Sequence, residues 1–115
     1  MHEMHQIALY LHPGQDVERL AIIVTDPDGS EHWGAWNLPG VPPSTERMAE
    51  VREAALARYT AGRELTEMQA MLDERYRMFN RANASGNAQD ATEIQGEVRE
   101  ILAYMQEVRN AAGVA

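Results

Sequence analysis

Between Asp90 and Ala112 an apolar residue recurs at every step of three or four: Ala91, Ile94, Val98, Ile101, Met105, Val108 and Ala112. That spacing puts them all on one face of a helix, and no other segment of the chain is so regular. An apolar face of this kind needs cover, from elsewhere in the chain, from a second copy or from another protein. Leu102 and Tyr104 flank the stripe and widen it beyond a two-stranded seam, and its length is only about three heptads. It is therefore expected to form one wall of a helical bundle. The expected cover is a helix from Met68 to Ala84, with the helix from Met48 to Tyr59 or another subunit taking the remainder.

The segments before the stripe supply those helices. Ser44 or Thr45 caps a helix from about Glu46 to Ala61 with the stripe Met48, Val51, Ala55 and Tyr59, and Gly62 is expected to end it in the left-handed conformation. Thr66-Glu67-Met68-Gln69 fits a capping box with Leu65 as its staple, and opens a helix carrying Met68, Met71, Leu72, Tyr76, Phe79 and Ala82. Asn83-Ala84-Ser85-Gly86-Asn87 breaks that helix. So short a polar link predicts antiparallel neighbours on either side of it.

The first 38 residues have the patterning of strands. Ile7, Leu9 and Leu11 alternate with Gln6, Ala8 and Tyr10, which predicts a half-buried strand over His5–Leu11, ended by Pro13-Gly14. Val17–Thr25 contains Leu20-Ala21-Ile22-Ile23-Val24, apolar on both faces, and reads as a second strand. Asp26-Pro27-Asp28-Gly29 has type I turn chemistry and predicts a hairpin. On the return strand, Ser30–Leu38, regular alternation puts Trp33 and Trp36 on opposite faces with one indole partly exposed, and Gly34 between them marks a bulge or a close approach. Residues 39–45, with Pro39, Pro42 and Pro43, form a stiff spacer. The expected architecture is a single α+β domain: a small N-terminal antiparallel sheet of two or three strands over 1–38, the proline-rich spacer, and three helices over 46–112.

Composition limits the chemistry. At 115 residues the chain fits one domain with a modest core. It has no cysteine, hence no disulfide, thiolate metal site or cysteine nucleophile. A net charge of −8 opposes direct nucleic-acid binding. All ten basic residues are arginine, a bias that fits a GC-rich coding sequence better than phosphate recognition. No signal-peptide pattern or membrane-spanning run is read, so a soluble intracellular protein with no membrane partner is expected.

No residue set specifies a reaction, and neither enzymatic activity nor a cofactor is expected. The oxygens of Asp26-Pro27-Asp28-Gly29-Ser30-Glu31 are dense, but the glycine is at the fourth place where an EF-hand needs it at the sixth. His2, His5, His12 and His32 lack the spacing of a zinc site. Ser30, Ser44 and Ser85 sit at turns and caps, where a structural role accounts for them. Glu93, Glu97 and Glu100 have bundle-ligand spacing but fall largely outside the stripe, and read as a solvated face. Asn83-Ala84-Ser85 matches a glycosylation sequon that only secretion would make relevant. Met68, Met71, Met78 and Met105 read as core filling more readily than as an adaptable binding surface.

The hairpin and spacer carry a family likeness. A strand ending in Trp36-Asn37-Leu38, preceded by the Asp28-Gly29 turn and followed by Pro42-Pro43-Ser44-Thr45-Glu46 opening an acidic helix, resembles small tail-assembly and tail-fibre assembly proteins of tailed bacteriophages. The likeness covers about a quarter of the chain. Ser44 stands between proline and threonine, Met48 stands where leucine is commoner, and the helices up to Ala112 have no counterpart in the pattern. Trp36, Asn37 and Thr45 correspond to the hairpin-to-helix junction. The resemblance implies a non-enzymatic protein made in the bacterial host cytoplasm, acting there during assembly or retained in the virion, with other phage structural proteins or further copies of itself as partners. The residues expected at such an interface are Trp33, Trp36, Ile94, Val98, Ile101, Leu102, Met105 and Val108. The acidic balance supports a rival expectation, a regulatory or inhibitor protein that binds a basic host or phage protein.

Overall fold

A computed structural model describes residues 1–113. In chain order it contains α1 (Glu3–Leu11), α2 (Val17–Leu20), β1 (Ala21–Thr25), β2 (Glu31–Trp36), α3 (Thr45–Ala84) and α4 (Ala88–Ala112). The fold is α+β, with a two-stranded antiparallel sheet. Its internal contacts fall into two units, Met1–Tyr59 and the part from Thr60 onward, and α3 runs through both.

In the first unit the expected strand over His5–Leu11 is instead helix α1. The His2 ring caps it, Nδ1 accepting from Met4 N at 3.0 Å, and places Glu3 in the first turn. The alternation misled because α1 is covered on two sides. Ile7, with Tyr10 and Leu11, packs on Val51, Ala55 and Met48 of α3, whereas Ala8 and Leu9 pack with Val17, Ala21 and Leu38. A helix covered on both sides loses the single polar face that marks a surface helix.

The second expected strand begins late. Arg19 N and Leu20 N both donate to Asp16 O, at 3.2 and 3.0 Å, so Val17–Leu20 closes one helical turn and β1 starts at Ala21. The hairpin follows as expected. Gly29 N donates to Asp26 O at 2.9 Å and Asp26 N to Ser30 O at 2.8 Å, with Gly29 at φ +89°. This is a type I turn followed by a left-handed residue, the three-residue hairpin loop whose last position favours glycine.

The register corrects the expectation for the tryptophans. Ala21 pairs with Trp36 and Ile23 with Trp33, so two steps along β1 match three along β2. The extra residue in β2 is a bulge, and it inverts the pleat between the indoles. Trp33 and Trp36 therefore project to the same side, with ring centroids 5.0 Å apart and planes at 70°. Gly34 lies inside the bulge, where a Cβ would stand 2.8 Å from Val24 Cγ2, so both features expected of this glycine are present.

After β2, Asn37 N donates to Leu20 O at 2.8 Å and Leu38 is buried with Ala8, Val17 and Ala21. Residues 39–44 carry neither helix nor strand, and Ser44 Oγ then caps α3 by accepting from Arg47 N at 3.1 Å. The α3 stripe Met48, Val51 and Ala55 faces α1. Arg52 pairs with Glu3, and Arg58 lies 6.0 Å from the centroid of the Tyr10 ring.

The expected stop at Gly62 is absent. Helix α3 continues to Ala84, and two helices, not three, follow residue 45. The Thr66 hydroxyl donates back to Gly62 O at 3.0 Å, four residues earlier, instead of capping a new helix. One glycine costs a helix only about 1 kcal/mol, which the side-chain packing on either side of it outweighs. Nothing lies within 4 Å of a Cβ built on Gly62, and its φ is not positive. Gly62→Ala is therefore expected to stabilise the chain by about 0.5–1 kcal/mol in denaturant titration. Destabilisation of similar size would mean that Gly62 ends a helix after all.

The second unit is an antiparallel helical hairpin. Its link lies where expected: Gly86 is left-handed at φ +76°, Asn87 N donates to Ala82 O at 2.9 Å, and Asn87 Oδ1 accepts from Asp90 N at 3.1 Å to cap α4. Ala82, Ala91 and Ile94 form the layer next to the link, with Met78 and Phe79 against it. Leu72, Val98 and Met105 form the layer beyond, with Leu65, Met68 and Ile101. The stripe of α4 is thus covered by the second half of α3.

Candidate partner interface

In the first unit the candidate side chains form a line of aromatic rings. His2 meets His5 at 6.3 Å, His5 meets Trp33 at 6.1 Å, Trp33 meets Trp36 at 5.0 Å and Trp36 meets His12 at 5.8 Å, all edge-on. Helix α1 and the residues that cap its two ends supply the histidines, and the β2 bulge supplies both indoles. His5 Nε2 donates to Ala21 O at 2.7 Å, and His2 Nε2 donates to Glu31 Oε2 at 2.6 Å while its Nδ1 caps α1. A neutral imidazole carrying its proton on Nε2 satisfies both His2 bonds. The Nε1–H groups of Trp33 and Trp36 are buried without a hydrogen-bond partner. Both indoles are half-buried, where one was expected to be partly exposed, and both pack against the cluster of Ala8, Val17, Ala21 and Leu38.

The other face of the hairpin is different. Ile22 and Val24 alternate with the inward Ala21 and Ile23, and they remain 45% and 37% exposed. Within the described residues the sheet has two strands, and no third strand covers either outer edge, although at the start of β1 Ala21 N donates to Val17 O and Ala21 O accepts from His5. Apolar groups beside open backbone donors and acceptors can accept a further strand or an apolar segment of a partner.

In the second unit most of the expected interface points inward. Ile94, Val98 and Met105 are buried against α3, and Ile101 and Val108 are half-buried. Leu102 and Tyr104 are each 43% exposed. Met68 and Met78 pack within the hairpin, whereas Met71 is exposed. Glu93 and Glu100 are exposed, and Glu97 Oε2 lies 2.6 Å from Arg75 Nε, an ion pair by distance whose angle is not that of a hydrogen bond.

The Tyr104 hydroxyl donates to Glu64 across the two helices, and that bond, together with the carboxylate charge, raises the Tyr104 pKa above its ordinary value. Folding therefore favours the protonated phenol. Its contribution is complete below the ordinary tyrosine pKa and is lost as pH rises through the raised one. An alkaline titration of melting temperature is expected to fall more steeply for the parent than for Tyr104→Phe, and identical slopes would show that the Glu64 contact is not formed.

The polar candidates are structural. Ser30 Oγ donates to Asp28 Oδ1 at 2.7 Å and to Asp26 Oδ2 at 3.2 Å, and Ser30 N donates to Asp28 Oδ1 at 3.0 Å. These bonds hold the Asp28 carboxyl below the usual carboxylate range. His32 Nδ1 lies 3.3 Å from Asp26. The four histidines thus have separate partners, and among the described residues no group of three or more His, Asp or Glu side chains is placed to hold a metal ion. Ser85 Oγ donates to Ala82 O at 3.1 Å. No alternation or spacing in the sequence pointed to the ring line, because it depends on α1 being a helix and on the bulge in β2.

Comparison with protein-family models, with curated proteins and with solved structures finds no match.

Proposed function

We propose that this chain is a non-enzymatic assembly or structural protein of a tailed bacteriophage, in the tail or neck region, acting through protein–protein contacts. The observation that carries the contact reading is the outer side of the hairpin, where Ile22 and Val24 lie exposed on a two-stranded sheet with no third strand among the described residues. The phage reading is supported by the order of parts that resembles tail-assembly proteins: a hairpin ending at Trp36, Asn37 bonded back to Leu20, the prolines, then a helix opening at Thr45. The protein is made in the host cytoplasm and is either retained in the particle or released from it, with other phage proteins as partners. Direct nucleic-acid binding is not part of the proposal, given the charge of −8. No helix among the described residues is long and apolar enough to cross a membrane.

Deleting the coding sequence from a phage that carries it is expected to lower the yield of complete particles, and mass spectrometry of parental virions separates a retained component from a transient chaperone. An undiminished yield of normal particles would overturn the reading. A second reading is favoured by the acidic side of the helical hairpin, where Glu67, Glu93, Glu100 and Glu107 are exposed: an inhibitor of a basic protein. That reading requires binding to a basic partner that high salt abolishes.

A further inference from the structure

The two flanks of the helical hairpin differ in charge. Arg75 with Glu97, and Glu64 with Tyr104, bridge α3 and α4 along one flank. At about 100° per residue, Tyr76 lies a quarter turn or more from Arg75, and Leu102 roughly 160° from Tyr104, so both fall on the opposite flank. The bridged side continues into exposed Glu67, Glu93, Glu100 and Glu107. The opposite side presents Gln69, Tyr76 and Asn80 of α3 and Gln95, Leu102 and Gln106 of α4, all exposed and uncharged. Asp73 and Arg99 on this side cancel, half-buried Arg109, two turns after Leu102, adds one positive charge, and no glutamate lies on it.

We infer that this glutamate-free flank is the contact surface for a second copy of the same chain, joining two helical hairpins into a four-helix bundle. Charge selects the occupant. A chain of net charge −8 repels its own copies over most of its surface, and the flank through Leu102 and Tyr76 lets two copies approach without placing glutamates against glutamates. It also has its own complementarity. Arg75 and Glu97 meet across the helices, and Asp73 and Arg99, two residues back along α3 and two on along antiparallel α4, stand at a common level of the hairpin. A two-fold axis parallel to the helices puts α3 of one copy beside α4 of the other and keeps every level matched. Asp73 of each copy then faces Arg99 of the other, twice per dimer, while Leu102 and Tyr76 are covered. All neighbouring helices are antiparallel in this arrangement, as in up-down-up-down bundles.

The inference narrows the contact reading above to one partner, and the particle-yield experiment stands or falls independently of it. Sedimentation of the full chain is expected to show a species of twice the 12.9 kDa chain mass. Leu102→Glu is expected to weaken dimerisation at least about tenfold, with far-ultraviolet helicity kept because the side chain is exposed. Asp73→Arg and Arg99→Asp alone are each expected to weaken it by about tenfold, since each creates two like-charge contacts, and together to restore it to within about threefold of the parent. A chain that stays monomeric up to roughly 0.1 mM, or a dimer indifferent to all three substitutions, overturns the inference.

Discussion

Replacing Met105 with aspartate is expected to unfold the helical hairpin. Met105 is 2% exposed and packs in the layer formed by Leu72 and Val98, against Leu65, Met68 and Ile101. Truncating such a side chain costs about 2–5 kcal/mol, and a carboxylate without a partner in that layer adds several more. Small domains have about 5–15 kcal/mol in total, so the substitution removes most or all of the stability available to the hairpin. The far-ultraviolet helical signal should drop sharply and the cooperative melt should disappear. Ile101→Asp should be milder, because half-buried Ile101 lets a carboxylate turn toward water. Leu102→Asp, at 43% exposure, should leave the hairpin folded. That order, Met105 worst and Leu102 least, follows from the side of α4 that α3 covers. A Met105→Asp chain that melts within a few degrees of the parent would place Met105 outside the core.

Trp33→Ala is expected to have the second largest effect, confined at first to residues 1–59. The indole packs on Ala8, Val17, Ala21 and Leu38 and meets both Trp36 and His5 edge-on. These neighbours are mostly alanines or lie on short elements, so little can move in to fill the void, but the indole is half-buried and the cost belongs to the lower part of the usual range for a buried aromatic, about 3 kcal/mol. Trp33 and Trp36 are the only tryptophans in the chain, so in Trp33→Ala all tryptophan fluorescence comes from Trp36 in the same cluster. Its emission should shift to the red at temperatures where the parent is still blue-shifted. An unchanged emission profile and melting temperature would show that the hairpin is not held by this cluster.

What could be read from the sequence was local or strongly periodic. Asp26-Pro27-Asp28-Gly29 specifies its own turn, Asn83 to Asn87 carries both the helix end and the next cap, and the stripe from Ala91 to Ala112 repeats without interruption. What could not be read depends on neighbours distant in sequence. Helix α1 looks like a strand because Ile7 and Tyr10 face α3 while Ala8 and Leu9 face the hairpin, which erases its polar side. Gly62 and Thr66 look like a helix end and a new start, yet the packing of flanking turns carries the helix through them. The shared side of Trp33 and Trp36 depends on one extra residue in β2, a register detail that alternation alone does not contain. For the candidate interface the consequence is an inversion: the apolar residues that first suggest a partner, Ile94, Val98 and Met105, are used inside the chain. What is left to a partner is, in the helical hairpin, their neighbour Leu102 with Tyr76, and separately, in the first unit, Ile22 with Val24.

The claim on which the rest depends is that the stripe of α4 is closed by α3 of the same chain. The parent has no cysteine, so Glu64→Cys with Tyr104→Cys introduces the only two thiols, at a half-buried and an exposed position that touch across the two helices on the flank away from Leu102. A short thiol-to-thiol cross-linker applied to a mixture of isotopically heavy and light protein, followed by mass spectrometry of the 64–104 linked peptides, reads the origin of each link. The structure predicts light–light and heavy–heavy links alone, formed within single chains. Mixed heavy–light links as the main product would mean that α4 packs against another molecule, which would contradict the helical hairpin and the dimer through the Leu102 flank together.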